Sequence, residues 1–109
     1  MSQIETTQTI GAVSTDLVTI PISDGATEVE MHFTADEAAS SSCAAGDCHL
    51  VVKKQSGMAP VVKSFTTSEW YTDFAVPIVL GAAVVGNAVV ISVPGVAAKT
   101  IDWRVTIGI

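Results

Sequence analysis

The chain is short of the residues that build charged binding surfaces and active sites. It holds five Lys and Arg against eleven Asp and Glu in 109 residues, for a net charge of −6. So few cations cannot track a phosphate backbone or hold an anionic bilayer, so no nucleic-acid or membrane partner is expected. Aromatic residues make up 6% of the chain, and it has two histidines and two cysteines. There is no G-x-S-x-G elbow, no phosphate-cradling glycine loop and no H-E-x-x-H pair. On these grounds no enzyme activity, cofactor or resident metal is expected, and no catalytic residue is assigned. The opening MSQIETTQTIGAV lacks the basic start and apolar run of a secretory signal, so synthesis in the cytoplasm is expected.

Charge is also missing from one long stretch. No residue between Phe74 and Ala98 is charged, which is long enough to resemble a membrane span. Pro77, Gly81, Gly86, Asn87, Pro94 and Gly95 interrupt it, and Val dominates the rest. Two buried strands joined by a Gly86-Asn87 turn account for it better than a helix.

What the chain does contain is small and β-branched apolar residues, within a hydrophobic fraction of 49%. That composition suits thin, sheet-based packing in one domain over residues 1–109. The pattern is clearest at the end. Ile101, Trp103, Val105, Ile107 and Ile109 alternate with Asp102, Arg104, Thr106 and Gly108, the period of a half-buried strand. Val89, Ile91 and Val93 repeat it just before Pro94-Gly95. Val29, Met31 and Phe33 face one way on a third strand, opposite Glu28, Glu30 and His32. Strands are expected over residues 4–10, 16–22, 27–35, 48–54, 60–66, 71–79, 83–93 (broken by the turn) and 99–108. About eight antiparallel strands of this kind predict an all-β sandwich, jelly-roll-like in arrangement.

The segment between Ala35 and Asp47 lacks an apolar stripe and carries Ser40, Ser41 and Ser42 in succession. Thr34 and Glu37 have capping-box spacing, yet a short helix with no packed face is marginal, so an exposed contact loop is expected. Cys43 and Cys48 flank Ala-Ala-Gly-Asp and precede His49. Free thiols are the leading expectation in the cytosol, a disulfide closing the loop is the alternative, and a metal site lacks a second ligand pair. Glu28, Glu30 and His32 share a strand face and read as a solvated surface. Trp70 and Tyr71 are expected in the core or at an oligomer interface, with a sugar-stacking platform as the alternative.

Three segments carry a family resemblance. Thr19-Ile20-Pro21-Ile22-Ser23-Asp24-Gly25 leads into the alternating Val29 to Phe33 stretch, and His49 to Gly57 gives a strand ending in basic residues and a turn. Gly86 to Val93, then Pro94 to Trp103 with its Thr-Ile-x-Trp, gives a closing hairpin. Together they resemble a small β-sandwich module of tailed-bacteriophage virion proteins, of the capsid decoration (cement) or tail-fibre type. The likeness spans most of the chain, and the closing hairpin is its most specific part. Ala98 stands where a glycine commonly precedes Lys-Thr-Ile, and the Cys/Ser segment resembles an insertion. The resemblance implies a virion structural protein with no catalytic residues. For one short domain it implies a cement protein on the capsid surface, a homotrimer bridging subunits of the major capsid protein. The Val-rich stretch of residues 74–93 would then be buried against a neighbour, with Ser40, Ser41, Ser42, Trp70 and Tyr71 as partner contacts. A tail-fibre or adhesin module binding a host surface glycan through Trp70, Tyr71 and the 35–47 segment is the alternative.

Overall fold

Alternating apolar residues and frequent turn signals resolve, in a computed structural model describing residues 2–108, into eight strands and no helix. They are β1 (Ser2–Ile10), β2 (Thr15–Pro21), β3 (Gly25–Glu37), β4 (Cys43–Lys54), β5 (Val61–Thr72), β6 (Gly81–Val85), β7 (Ala88–Val93) and β8 (Thr100–Gly108). They form a five-stranded sheet in the order β1-β8-β3-β4-β5 and a three-stranded sheet in the order β2-β7-β6. Every pairing is antiparallel. The all-β sandwich expected from the sequence is the fold. β1 pairs with β8 and β2 with β7, whereas β3, β4 and β5 run as a meander within one sheet.

The core is the apolar half of each alternation. Val29, Met31, Phe33 and Ala35 of β3 meet Leu50 and Val52 of β4 and Ile101, Trp103, Val105 and Ile107 of β8. Ile20 of β2 and Val89, Ile91 and Val93 of β7 close over them from the smaller sheet. Trp103 is 1% exposed, packs 6.2 Å from the Phe33 ring centroid, and donates its indole N–H to Thr9 Oγ1 at 3.0 Å. That bond satisfies the one polar atom a buried tryptophan brings with it. Ile109, the last residue of the expected alternation, lies outside the described residues.

Two expectations are corrected. Residues 71–79 are not a strand, because β5 runs through to Thr72 and the chain then crosses between the sheets. Over this crossing Phe74, Ile78 and Leu80 are buried, and the Ile78 N–H donates to the inward-facing Glu69 carboxylate at 2.8 Å. The segment thus covers the core beside β5 where a further strand was expected. Likewise Ala35–Asp47 is not a long loop. β3 extends to Glu37 and β4 begins at Cys43, leaving residues 38–42 as the turn of one long hairpin. Small residues at Ala35, Ala44 and Gly46 hid the pattern, since a strand buried by small side chains shows little hydrophobic alternation.

The charge-free stretch also becomes ordinary sheet. Its middle part, residues 81–93, is β6, a Gly86-Asn87 turn with Gly86 at φ +60°, and β7; of the two strands expected to be buried, β7 is and β6 is half-buried to exposed. No helix among the described residues is long and apolar enough to cross a membrane.

Candidate functional site

The outward face of the five-stranded sheet is assembled by register. Glu30 of β3 lies opposite His49, His32 opposite Asp47, and Thr34 opposite Ala45; across β4, His49 meets Thr66, Asp47 meets Ser68 and Ala45 meets Tyr71. In a regular strand the neighbour of Tyr71 would point inward. It does not, because the register slips between Ala45 and Gly46, where Tyr71 and then Glu69 are the partners and Trp70 is left over. This is a β-bulge, which sets two residues against one and re-aims a side chain. Trp70 and Tyr71, consecutive in sequence, therefore both stand on the outward face, 59% and 56% exposed.

Each aromatic is braced. The Trp70 ring reaches over β4 to the His32 ring, with centroids 5.4 Å apart and planes tilted by 50°. The Tyr71 hydroxyl donates to Asp73 Oδ1 at 2.6 Å, and Asp73 Oδ2 accepts the Cys43 N–H at 3.1 Å. These bonds pull the Asp73 carboxyl below its ordinary pKa, the Tyr71 hydroxyl first and the Cys43 amide next, and push the Tyr71 phenol upward. A second bulge lies further along β5, where the partners jump from Ser64 to Val62 and Lys63 is the extra residue.

Of the polar trio singled out on β3, the structure separates His32 from the carboxylates and replaces it with His49. Donor atoms of Glu28, Glu30 and His49 lie within 4.8 Å of one another on the exposed face. His49 Nε2 and Glu30 Oε1 are 2.9 Å apart. The Glu30 hydrogen bond, aided by the charges of Glu28 and Asp47, raises the His49 pKa. All three groups are exposed, in keeping with a solvated surface.

Ser40, Ser41 and Ser42 lie at or beside the β3–β4 turn, and Ser40 and Ser42 are engaged in making it. Ser40 Oγ donates to Glu37 Oε1 at 2.8 Å and accepts the Ser42 N–H at 3.1 Å. Lys99 Nζ lies 3.3 Å from the same Glu37 oxygen. The Ser40 bond, and then Lys99, hold the Glu37 carboxyl below its ordinary pKa. The thiols are both free, Cys43 exposed and Cys48 buried. A disulfide between them is excluded by the strand itself: five residues of extended chain separate their Cα atoms by about 17 Å, against a limit near 7 Å. Burial raises the Cys48 pKa, leaving it a packing residue.

The sequence marks Trp70 and Tyr71 but not what surrounds them, namely His32 as the ring partner, Asp73 as the tyrosine's anchor, and Asp47 and Ser68 beside them. Long-range register brings His32 and Asp47 to the aromatics, whereas Asp73 and Ser68 lie within two residues of them in the chain. Nor does the sequence mark a groove on the same face, about 600 Å³ in volume, bounded by Thr6, Gln8, Thr34, Asp36, Asp102 and Arg104.

No protein-family model and no curated protein matches the sequence. Among solved structures the fold is similar to part of gp49, a tailspike protein of the Acinetobacter baumannii bacteriophage Fri1, described as a capsular polysaccharide depolymerase. The TM-score is 0.52 at 12% identity, over 97% of this chain and 17% of the tailspike. At that identity the likeness is one of fold, and this chain spans a small part of the tailspike's length. It does overturn one expectation. A chain without catalytic motifs was expected to have no enzyme activity, yet a protein with a part of similar fold is described as a depolymerase, so that expectation is withdrawn.

Proposed function

We propose that this chain is a module of a tailed-bacteriophage virion protein that holds a host surface polysaccharide on the outward face of its five-stranded sheet. The observation that carries this is the β5 bulge, which presents Trp70 and Tyr71 together on an exposed polar face. A sugar ring has an apolar C–H face and a rim of hydroxyls. The indole plane suits the first, and Asp47, Ser68, Thr66 and the Tyr71 hydroxyl suit the second. The shared fold with a phage tailspike supports the virion setting, and its description as a capsular polysaccharide depolymerase supports the ligand class.

The test is binding of the purified chain to a panel of immobilised bacterial capsular polysaccharides. Retention on at least one, weakened tenfold or more in Trp70→Ala with an unchanged melting temperature, is expected. Retention on none, or equal retention by the variant, overturns the reading.

A separate observation favours capsid decoration as a second reading. β6 and β7 carry no charged residue, and Val79 and Val85 are each 61% exposed. An uncharged, partly apolar surface of this kind suits contact with another protein, here the major capsid protein, with the chain as a homotrimer. Co-sedimentation with capsids lacking the protein, reduced by Val85→Lys, is expected on this reading; absence from the capsid pellet removes it.

A further inference from the structure

We infer that the groove over β1, β8 and β3 is a second saccharide subsite, built for neutral or amino sugars and continuous with the Trp70 platform. It rests on the polysaccharide reading above and adds where the chain runs and which sugars it accepts.

The groove is made of two rungs of the ladder. In one, Thr6 and Thr34 flank Arg104; in the other, Gln8 and Asp36 flank Asp102. All six residues are exposed on the outward face, and with Thr7 and Trp103 they line an open groove of about 600 Å³. Two things set this patch apart from an ordinary wet strand face. Asp36 and Asp102 are directly opposite on neighbouring strands, where like charges repel and a sheet normally avoids them. The only direct bond that either carboxylate receives from a side chain, among the described residues, is from Gln8 Nε2 to Asp102 Oδ1 at 2.8 Å. Arg104 likewise has no ion-pair partner among the described residues. The groove therefore offers unspent carboxylate acceptors, five guanidinium N–H donors and two hydroxyls around one cavity.

That set matches a polyol. Vicinal hydroxyls donate to the carboxylates, ring and glycosidic oxygens accept from Arg104, and an amino substituent would sit between Asp36 and Asp102. A uronate or sulfate would meet Asp36, Asp102, Asp47 and Glu30 on the same face, with Arg104 as the nearby cation. Continuity follows from the strand. Thr34 is the next outward residue after His32 on β3, about 7 Å along, and His32 carries the Trp70 ring. From β1 to β5 the face spans four strand spacings, about 19 Å. A polysaccharide crossing the strands can thus occupy the groove and the indole at once.

The test uses the purified chain against three immobilised probes: a neutral glucan, a partly deacetylated chitooligosaccharide and a polyuronate. The expected order places the polyuronate weakest. The double variant Asp36→Asn with Asp102→Asn should weaken binding to the first two at least tenfold without lowering the melting temperature, since it removes a repulsion. If the double variant binds like the wild type while Trp70→Ala loses binding, the groove is not a subsite and the platform stands. A preference for the polyuronate overturns the sugar class. Binding to none of the three overturns the groove assignment, while the Trp70 reading is decided by the capsular panel.

Discussion

β8 and β5 belong to the same sheet, and each carries a tryptophan, yet they treat it in opposite ways. β8 lies between β1 and β3, in ladders that hold register along their whole length. Its inward residues are buried without exception, and Trp103 is 1% exposed. β5 is an edge strand with two slips of register, and Trp70 at one of them is 59% exposed. A regular central strand fits the core and makes the fold. A bulged edge strand gives up part of its pairing and can turn large side chains outward. In this chain the irregularity is what creates a surface with chemistry.

The largest effect that tests this contrast is the loss of either ring. Trp103→Ala should cost about 3–5 kcal/mol, from lost contacts, a cavity and an unpartnered Thr9 hydroxyl. Trp70→Ala should change stability by no more than about 0.5 kcal/mol, because its ring buries little. Urea denaturation followed by circular dichroism measures both. Comparable losses for the two variants would erase the distinction between scaffold and platform.

Next in size is the residue that lets β5 bulge beside β4. Gly46 pairs with Glu69 at the slip. A Cβ there would run into the Ser68 carbonyl oxygen and come within 2.8 Å of the Phe33 ring. Gly46→Ala should therefore cost about 1–3 kcal/mol and also weaken saccharide binding, because relief requires β5 to move with Trp70 on it. Loss of stability with binding intact would uncouple the bulge from the platform. On the β8 side the matching change should stabilise. Ala98, in the turn before β8, has φ +63°, a left-handed conformation that costs a Cβ-bearing residue roughly 1–2 kcal/mol. Ala98→Gly removes that strain but frees the unfolded chain by about 0.4–1 kcal/mol. A net gain of about 0.5 kcal/mol in the same denaturation experiment is expected.

These cases also show why the sequence told so much about β8 and so little about β5. Ile101, Trp103, Val105 and Ile107 keep phase with the pleat, so period 2 survives in the sequence and marks both strand and core face. The glycine expected before Lys-Thr-Ile on family grounds was legible too, since the backbone at Ala98 is in the conformation a glycine favours. On β5 each bulge shifts the phase by one, so Trp70 and Tyr71 read as a failure of alternation, and the strand was expected to stop at residue 66. The β3–β4 hairpin was missed for a different reason: Ala35, Ala44 and Gly46 are buried by position and carry little hydropathy. The groove was illegible because Thr6, Thr34 and Arg104 meet only through pairings between strands far apart in the chain.

The smallest effect lies between the two strands, on the Glu30–His49 rung that joins β3 to β4. The Glu30 hydrogen bond is the main cause of the raised His49 pKa, followed among the raising influences by the charge of Glu30 itself and then by those of Glu28 and Asp47. A raised folded-state value means that folding binds the proton more tightly. The stabilising contribution is therefore fully present below the ordinary histidine value near 6.5, and it fades as pH climbs through the folded-state value. Both side chains are more than half exposed, at 54% and 59%, so solvent screens the pair and its effect on the unfolding midpoint should be slight. The sensitive readout is the His49 imidazole resonance followed by NMR across pH. Glu30→Gln should move its titration clearly downward, and Glu28→Gln should move it less, because Glu28 acts through charge without a hydrogen bond to the ring. Identical curves for the wild type and Glu30→Gln would mean that the rung is open in solution. The platform would then be held by Trp70 on His32 and by Tyr71 on Asp73, with no contribution from this rung.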